Sequence, residues 1–145
     1  MTAFDSNAML NGVEALVRRA LPVAKLQRNG GKPQRVDPAG NVVIRDGTPE
    51  IEGEELSPHV YYVAHRIQLE IAAFQQTGVS ATDALKQMLA SIGNELVADP
   101  TLGGLVELIE ADAVEDDDLE DQGTPSGEWA NVALIAHYAT SSLLF

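Results

Sequence analysis

Histidine side chains are the first residues in this sequence that could do chemistry, because imidazole binds zinc and exchanges protons near neutral pH. The chain has three, His59, His65 and His137. His65 and His137 fall in predicted strands, and two neighbouring imidazoles could begin a zinc site. No HxH or HExxH spacing accompanies them. We therefore favour a buried or strand-pairing role for these two histidines, and an ordinary strand start for His59.

Three further stretches resemble sites but lack the residues that such sites need. Residues 30–32 (Gly-Gly-Lys) lack the earlier glycine and the following Ser or Thr of a phosphate loop, so they predict a turn. The acidic run at 116–121 has no glycine where an EF-hand loop requires one, which favours a solvated loop. Glu52, Glu54 and Glu55 have no apolar pocket to shift a pKa. The sequence therefore predicts no catalytic, cofactor-binding or metal site.

Length and composition are those of one globular domain. The chain has 145 residues, of which 45% are hydrophobic, enough for a single core over residues 1–145. The absence of cysteine excludes disulfides and thiolate metal sites. No run of about 18 apolar residues predicts a membrane-spanning helix, and residues 1–7 lack the pattern of a secretory signal. We expect a protein made in the cytoplasm, without membrane contact.

Charge is distributed unevenly around the net value of −13. Residues 1–45 carry seven basic and three acidic residues, a net charge of +4, whereas residues 46–145 carry two basic and nineteen acidic residues, a net charge of −17. A basic edge and an acidic body could attract another copy head to tail. A solvated acidic surface is the commoner meaning of such a charge, and it would repel DNA. The candidate subunit-interface residues are Arg18, Arg19, Lys25, Arg28, Arg35, Arg45, Glu52, Glu54, Glu55, Asp116, Asp117 and Asp118.

Hydrophobic periodicity predicts two helices and several strands. The first helix covers residues 7–20 with Ser6 as its N-cap, and the second runs from the N-cap Ser80 to Pro100. Strands are predicted at 23–28, 42–44, 59–75, 102–113 and 129–140, and exposed loops near 29–40, 46–58 and 114–127. The apolar residues at 143–145 are expected to pack on this chain or on a neighbour. This order predicts an α+β fold, a mixed and largely antiparallel sheet of about four to five strands with two helices packed on one face.

Several stretches of the second half form a pattern that covers roughly residues 42–141. They are a proline-led strand at 57–67 (SPHVYYVAHRI), Gly78 before the second helix, residues 99–106 (DPTLGGLV), an acidic strand, and a closing strand that ends at 137–140 (HYAT). The most telling parts are Thr-Leu-Gly-Gly at 101–104 and Tyr-Ala-Thr at 138–140. In this order the stretches resemble the tail terminator proteins of long-tailed phages and related gene transfer agents. In such proteins the loops corresponding to 46–58 and 114–127 vary freely.

The resemblance implies a structural virion protein that forms a hexameric ring on the last disk of the tail tube, stops tube growth and joins the tube to the head-completion protein. The implied partners are further copies of this chain, the tail tube protein and the head-completion protein. DNA passes through such a ring without being specifically bound, and no cofactor or enzymatic activity is implied. The implied location is the virion tail, after assembly in the bacterial cytoplasm. The alternatives are a tube subunit or another head–tail connector and, less favoured, a small enzyme that uses His65, His137 and the tyrosines.

Overall fold

One mixed sheet and two helices make up the fold in the part of the chain that the structure describes. The computed structural model describes residues 4–31, 36–112, 119–120 and 127–144. The helices are α1 (Ser6–Ala20) and α2 (Ala81–Ala98), and the strands are β1 (Lys25–Arg28), β2 (Asn41–Leu56), β3 (His59–Phe74), β4 (Leu108–Ala111), β5 (Leu119–Glu120) and β6 (Gly127–Thr140). Neither helix is long and apolar enough to cross a membrane, as far as the described residues extend.

The sheet is open and has the strand order β1-β2-β3-β6-β4, with β5 also paired to β6. β1 is parallel to β2, and the other pairs are antiparallel. β3 is central because β2 and β6 pair with it along most of its sixteen residues. The predicted α+β class with a mixed, largely antiparallel sheet is therefore confirmed.

The core lies between both helices and one face of the sheet, which we call the helix side. Burial alternates along β3 from Val63 to Ile71, and the odd-numbered residues from Val63 to Ala73 are buried on the helix side. The matching residues of β6, predicted to share a face, are also buried there: Ala130, Val132, Leu134, Ala136 and Tyr138. Each large apolar side chain removed from water in this way stabilises the fold by roughly 1.5–3 kcal/mol. The opposite face, which we call the open side, is half-buried and more polar.

Each helix begins at a side chain that accepts hydrogen bonds from the backbone N–H groups of its first turn. Asp5 caps α1, because its Oδ1 accepts from the backbone N–H groups of Asn7 and Ala8 at 3.0 and 3.2 Å. The prediction of Ser6 as the N-cap was therefore wrong by one residue, and Ser6 is the first helical residue. Ser80 caps α2 as predicted, since its Oγ accepts from the backbone N–H of Asp83 at 3.1 Å.

Residues 46–56 form a strand, and the prediction of a loop at 46–58 was wrong. They continue β2 alongside β3, and we call this part, with the turn at 57–58 and residues 59–66 of β3, the distal hairpin. The pairing has two register shifts, between Asp46 and Pro49 and between Ile51 and Gly53. These irregularities allow the strand to continue past Gly47, Pro49 and Gly53. Pro49 is tolerated because β1 pairs only with residues 41–44, so this part of β2 is a sheet edge. The predicted exposure of the segment is confirmed.

The remaining differences concern segment lengths. The strand predicted at 102–113 shrinks to β4, because Leu102, Gly103 and Gly104 adopt positive φ angles and residues 100–106 form turns. In the predicted loop at 29–40, residues 29–31 are exposed. Val36, at the other end, packs against the buried cluster of Val43, Ala72 and Trp129 on the sheet. Residues 32–35, and 114–127 apart from β5 and the first residue of β6, lie outside the described residues.

Substitution of Gly47 tests the close approach of the two strands at the first register shift. A Cβ at Gly47 would lie 2.2 Å from the backbone oxygen of Arg66, which leaves no space for it. We expect Gly47→Ala to lower the free energy of unfolding by about 1–3 kcal/mol in chemical denaturation. Gly53→Ala on the same strand is the control, because its Cβ would meet only the ring of Tyr62 at 4.0 Å. Equal losses in both variants would contradict the packing.

Candidate assembly surface

The basic interface candidates lie on α1, β1 and β2, and within the described residues each has an acidic partner on its own chain. The pairs are Arg18 with Glu14, Arg19 with Glu95 and Asp99, Lys25 with Asp37, Arg28 with Glu14, and Arg45 with Glu70. Arg19 joins α1 to α2. The side chains of Arg18 and Lys25 are 60% and 74% exposed, so their ion pairs are weak and can exchange partners. Arg35 lies outside the described residues.

The acidic candidates Glu52, Glu54 and Glu55 all lie in the distal hairpin. Glu54 contacts the ring of His59 with an O···N distance of 2.9 Å. Glu55 accepts the hydroxyl hydrogen of Tyr62, and this bond raises the pKa of that tyrosine. The hairpin therefore presents a row of exposed carboxylates along a strand edge that no other described strand pairs with. The other acidic candidates, Asp116, Asp117 and Asp118, lie outside the described residues.

His137 joins three strands on the open side of the sheet. Its Nδ1 is 3.1 Å from Glu52 on β2, and its Nε2 is 3.0 Å from Glu110 on β4. Both carboxylates can accept hydrogen bonds only when both ring nitrogens carry a proton. Burial by itself lowers the pKa of His137, but the hydrogen bonds and charges of Glu110 and Glu52 outweigh it, so the pKa is raised. The histidine thus ties the distal hairpin to β6 and β4.

His65 makes a matching connection on the helix side. Its Nε2 lies 2.6 Å from Asp46 Oδ1, and its Nδ1 lies 2.8 Å from the hydroxyl of Tyr138. One tautomer satisfies both contacts, with Nε2–H donating to Asp46 and the tyrosine hydroxyl donating to Nδ1. Burial, followed by the charge of Asp46, raises the pKa of Tyr138 and keeps that hydroxyl a donor. The ring of Phe4 stacks on Tyr138 with a centroid distance of 3.6 Å.

The two histidines do not meet, so the possible zinc pair is not formed. His137 is opposite Ala64 in the β3–β6 register, and His65 is the next residue, which points to the other face. Within the described residues no group of three His, Cys, Asp or Glu side chains is placed to hold a metal ion. His65 is 2% exposed, so the predicted buried histidine is confirmed for it. Sequence reasoning missed Asp46 as its partner, because that contact depends on the strand pairing of a segment predicted to be a loop.

An apolar groove of about 280 Å³ lies at the end of the sheet opposite the distal hairpin. It is bounded by the loop at 20–24 after α1, the turn at 38–40, the end of β3 at 73–74, and α2. Met88 of α2 contributes to its wall, and Val23, which is 76% exposed, lies on its border. Small-molecule pockets commonly measure about 300–1,000 Å³. The groove is therefore suited to one or two apolar side chains.

Removing the Tyr138 hydroxyl tests the helix-side connection. We expect Tyr138→Phe to lower the free energy of unfolding by about 1 kcal/mol, because a buried hydrogen bond to His65 is lost while the ring remains. Tyr62→Phe is the control, since Tyr62 is 37% exposed and water can replace its partner. Denaturant titrations of both variants measure the difference, and a larger loss for Tyr62→Phe would contradict this role.

The raised pKa of His137 predicts a pH-dependent contribution to stability. A histidine whose folded pKa exceeds its ordinary value of 6.5 stabilises the fold fully below that value, and the contribution is lost as pH rises through the folded pKa. The stability advantage of the wild type over His137→Gln should therefore shrink as pH rises above the ordinary pKa of 6.5. Denaturant titrations below and above this pH measure it. An advantage that grows with pH would contradict the assigned contacts.

Comparison with known proteins adds no relative. No protein-family model matches this chain, and no curated protein sequence matches it either. A functional proposal for this chain therefore depends on the resemblance in the second half of the sequence and on the surface described above.

Proposed function

We propose that this protein is a ring-forming tail terminator of a long-tailed phage or gene transfer agent, which caps the tail tube and joins it to the head-completion protein. The observation that carries the proposal is the distal hairpin. Its β2 edge is exposed, pairs with the stretch at 57–67 that resembles terminators, and has no strand on its outer side among the described residues. A free strand edge with exposed side chains is a template for pairing with another chain.

Charge complementarity supports contact between copies. The distal hairpin contains Glu50, Glu52, Glu54 and Glu55. Arg18 and Arg19 lie in the last turn of α1, and Lys25 begins β1 shortly after it. In a head-to-tail contact, one patch of a copy meets a different patch of the next copy. Repeated contacts of this kind form a closed ring when the rotations between successive copies add up to a full turn. Arg18 and Lys25 are exposed and only weakly paired on their own chain, so they can exchange their partners for the hairpin carboxylates of another copy.

The acidic surface also fits a ring through which DNA moves. The net charge of −13 repels phosphates, so a lumen lined by this surface would not hold the passing DNA. The partners of the ring are the tail tube protein on one side and the head-completion protein on the other. No specific nucleic-acid contact is required for this role.

Electron microscopy of the purified protein, added to assembling tail tubes, separates the structural alternatives. A terminator should appear as closed rings on tube ends and should shorten the tubes as its concentration rises. Long fibres formed by the protein alone would instead identify a tube subunit. Rings that bind heads but never tubes would identify a different connector.

Charge reversal of Arg18 tests the electrostatic contact between copies. Its exposed pair with Glu14 is worth only about 0.3–0.5 kcal/mol, so Arg18→Glu should fold normally. We expect the concentration needed for self-assembly to rise roughly tenfold, because a favourable charge becomes a repulsive one. Light scattering at low and high salt measures it, with Lys86→Glu as the control for charge reversal at an exposed site of α2. Assembly that responds equally to both variants would contradict the contact.

A further inference from the structure

Two apolar leucines are exposed beside the distal hairpin. Leu143 and Leu144 follow β6 and are 42% and 88% exposed, so Leu144 does not pack on its own chain. The sequence-based expectation of packing on this chain is thus not met for Leu144, and packing on a neighbour remains. Phe145 lies outside the described residues. Exposed apolar side chains that adjoin one another, as these two do, form a candidate contact site.

The apolar groove is out of reach of these leucines on the same chain. Thr140 pairs with Tyr61 at one end of β3, and Ala73, twelve residues further along, lines the groove. At about 3.3 Å per residue the two ends are roughly 40 Å apart. Leu144 is four residues beyond Thr140 and can reach at most about 14 Å from it. Only the leucines of another copy can therefore enter the groove.

We propose that Leu143 and Leu144 of one copy dock in the groove bordered by Val23 and Met88 of the next copy. The groove has room for one or two such side chains, and the contact joins different patches, so it propagates head to tail. The inference rests on the proposed ring for the identity of the partner as a second copy. Beyond the ring itself, the inference identifies the two surfaces through which neighbouring copies meet.

Charges on the two surfaces agree with this docking. The leucines leave the sheet next to Tyr61, which pairs with Glu54 of the acidic hairpin. The groove loop at 20–24 is flanked by Arg18 and Lys25, both largely exposed. When the leucines enter the groove, the acidic hairpin of one copy faces Arg18 and Lys25 of the next, whose weak ion pairs can exchange for the hairpin carboxylates. Apolar burial supplies affinity, and the charges fix orientation.

A disulfide across the contact gives a direct test, because the chain has no cysteine of its own. The double variant Val23→Cys/Leu144→Cys should form intersubunit disulfides under mild oxidation, since docking brings the two positions within bonding range. Val97→Cys/Leu144→Cys is the matched control, because Val97 is a valine of similar exposure, 83%, that does not line the groove. We expect roughly tenfold more crosslinking in the first variant. Leu144→Ser alone should weaken self-association roughly ten- to a hundredfold.

The outcomes separate this contact from the ring itself. Intact assembly by light scattering, with crosslinking absent or equal in both variants, would overturn the docking contact and leave the ring proposal standing. Crosslinking specific to Val23 that stops at two subunits or grows without limit would support the contact and overturn the terminator ring. A monomer under all conditions would overturn both.

Discussion

The pairing of β3 on both sides is the constraint on which the rest of the structure depends. A strand of sixteen residues can lie at the centre of a sheet only if its neighbours satisfy its backbone along most of that length. β2 and β6 do so, and β2 must therefore continue past its early apolar residues into a charged segment. The alternation of β3 then places one apolar face toward the helices. Its length also produces the distal hairpin and the separation between the hairpin and the groove.

Two histidines attach the distal hairpin to β6 from opposite faces. His65 lies on the helix side with Asp46 and Tyr138, and His137 lies on the open side with Glu52 and Glu110. His137 is opposite Ala64 in the sheet, and His65 is the next residue of β3. Because successive residues of a strand point to opposite faces, one imidazole enters the core and the other lies on the open side. Such paired attachment keeps a charged, exposed hairpin in a fixed orientation. A surface that must match a neighbouring copy requires this fixed orientation.

Sequence periodicity predicted the helices and strands that bury one face. It missed the distal part of β2, which has no buried face. The apolar spacing of α1, α2, β3 and β6 reports directly on the side of each element that packs, so both helices and the two long strands were predicted. The distal part of β2 has no buried face, and Gly47, Pro49 and Gly53 predict a loop. It is a strand because β3 provides a partner, which is information from elsewhere in the chain. For the same reason the pairs of Asp46 and Glu52 with histidines could not be predicted, because they require the register.

We propose that this protein acts by its shape and by contact between different patches of identical copies. Native mass spectrometry of the wild-type chain over a wide range of concentrations tests this most directly. A ring that closes predicts one assembly of fixed subunit number whose mass does not change as concentration rises. A monomer at every concentration, or a series of assemblies that lengthens without limit, would contradict it.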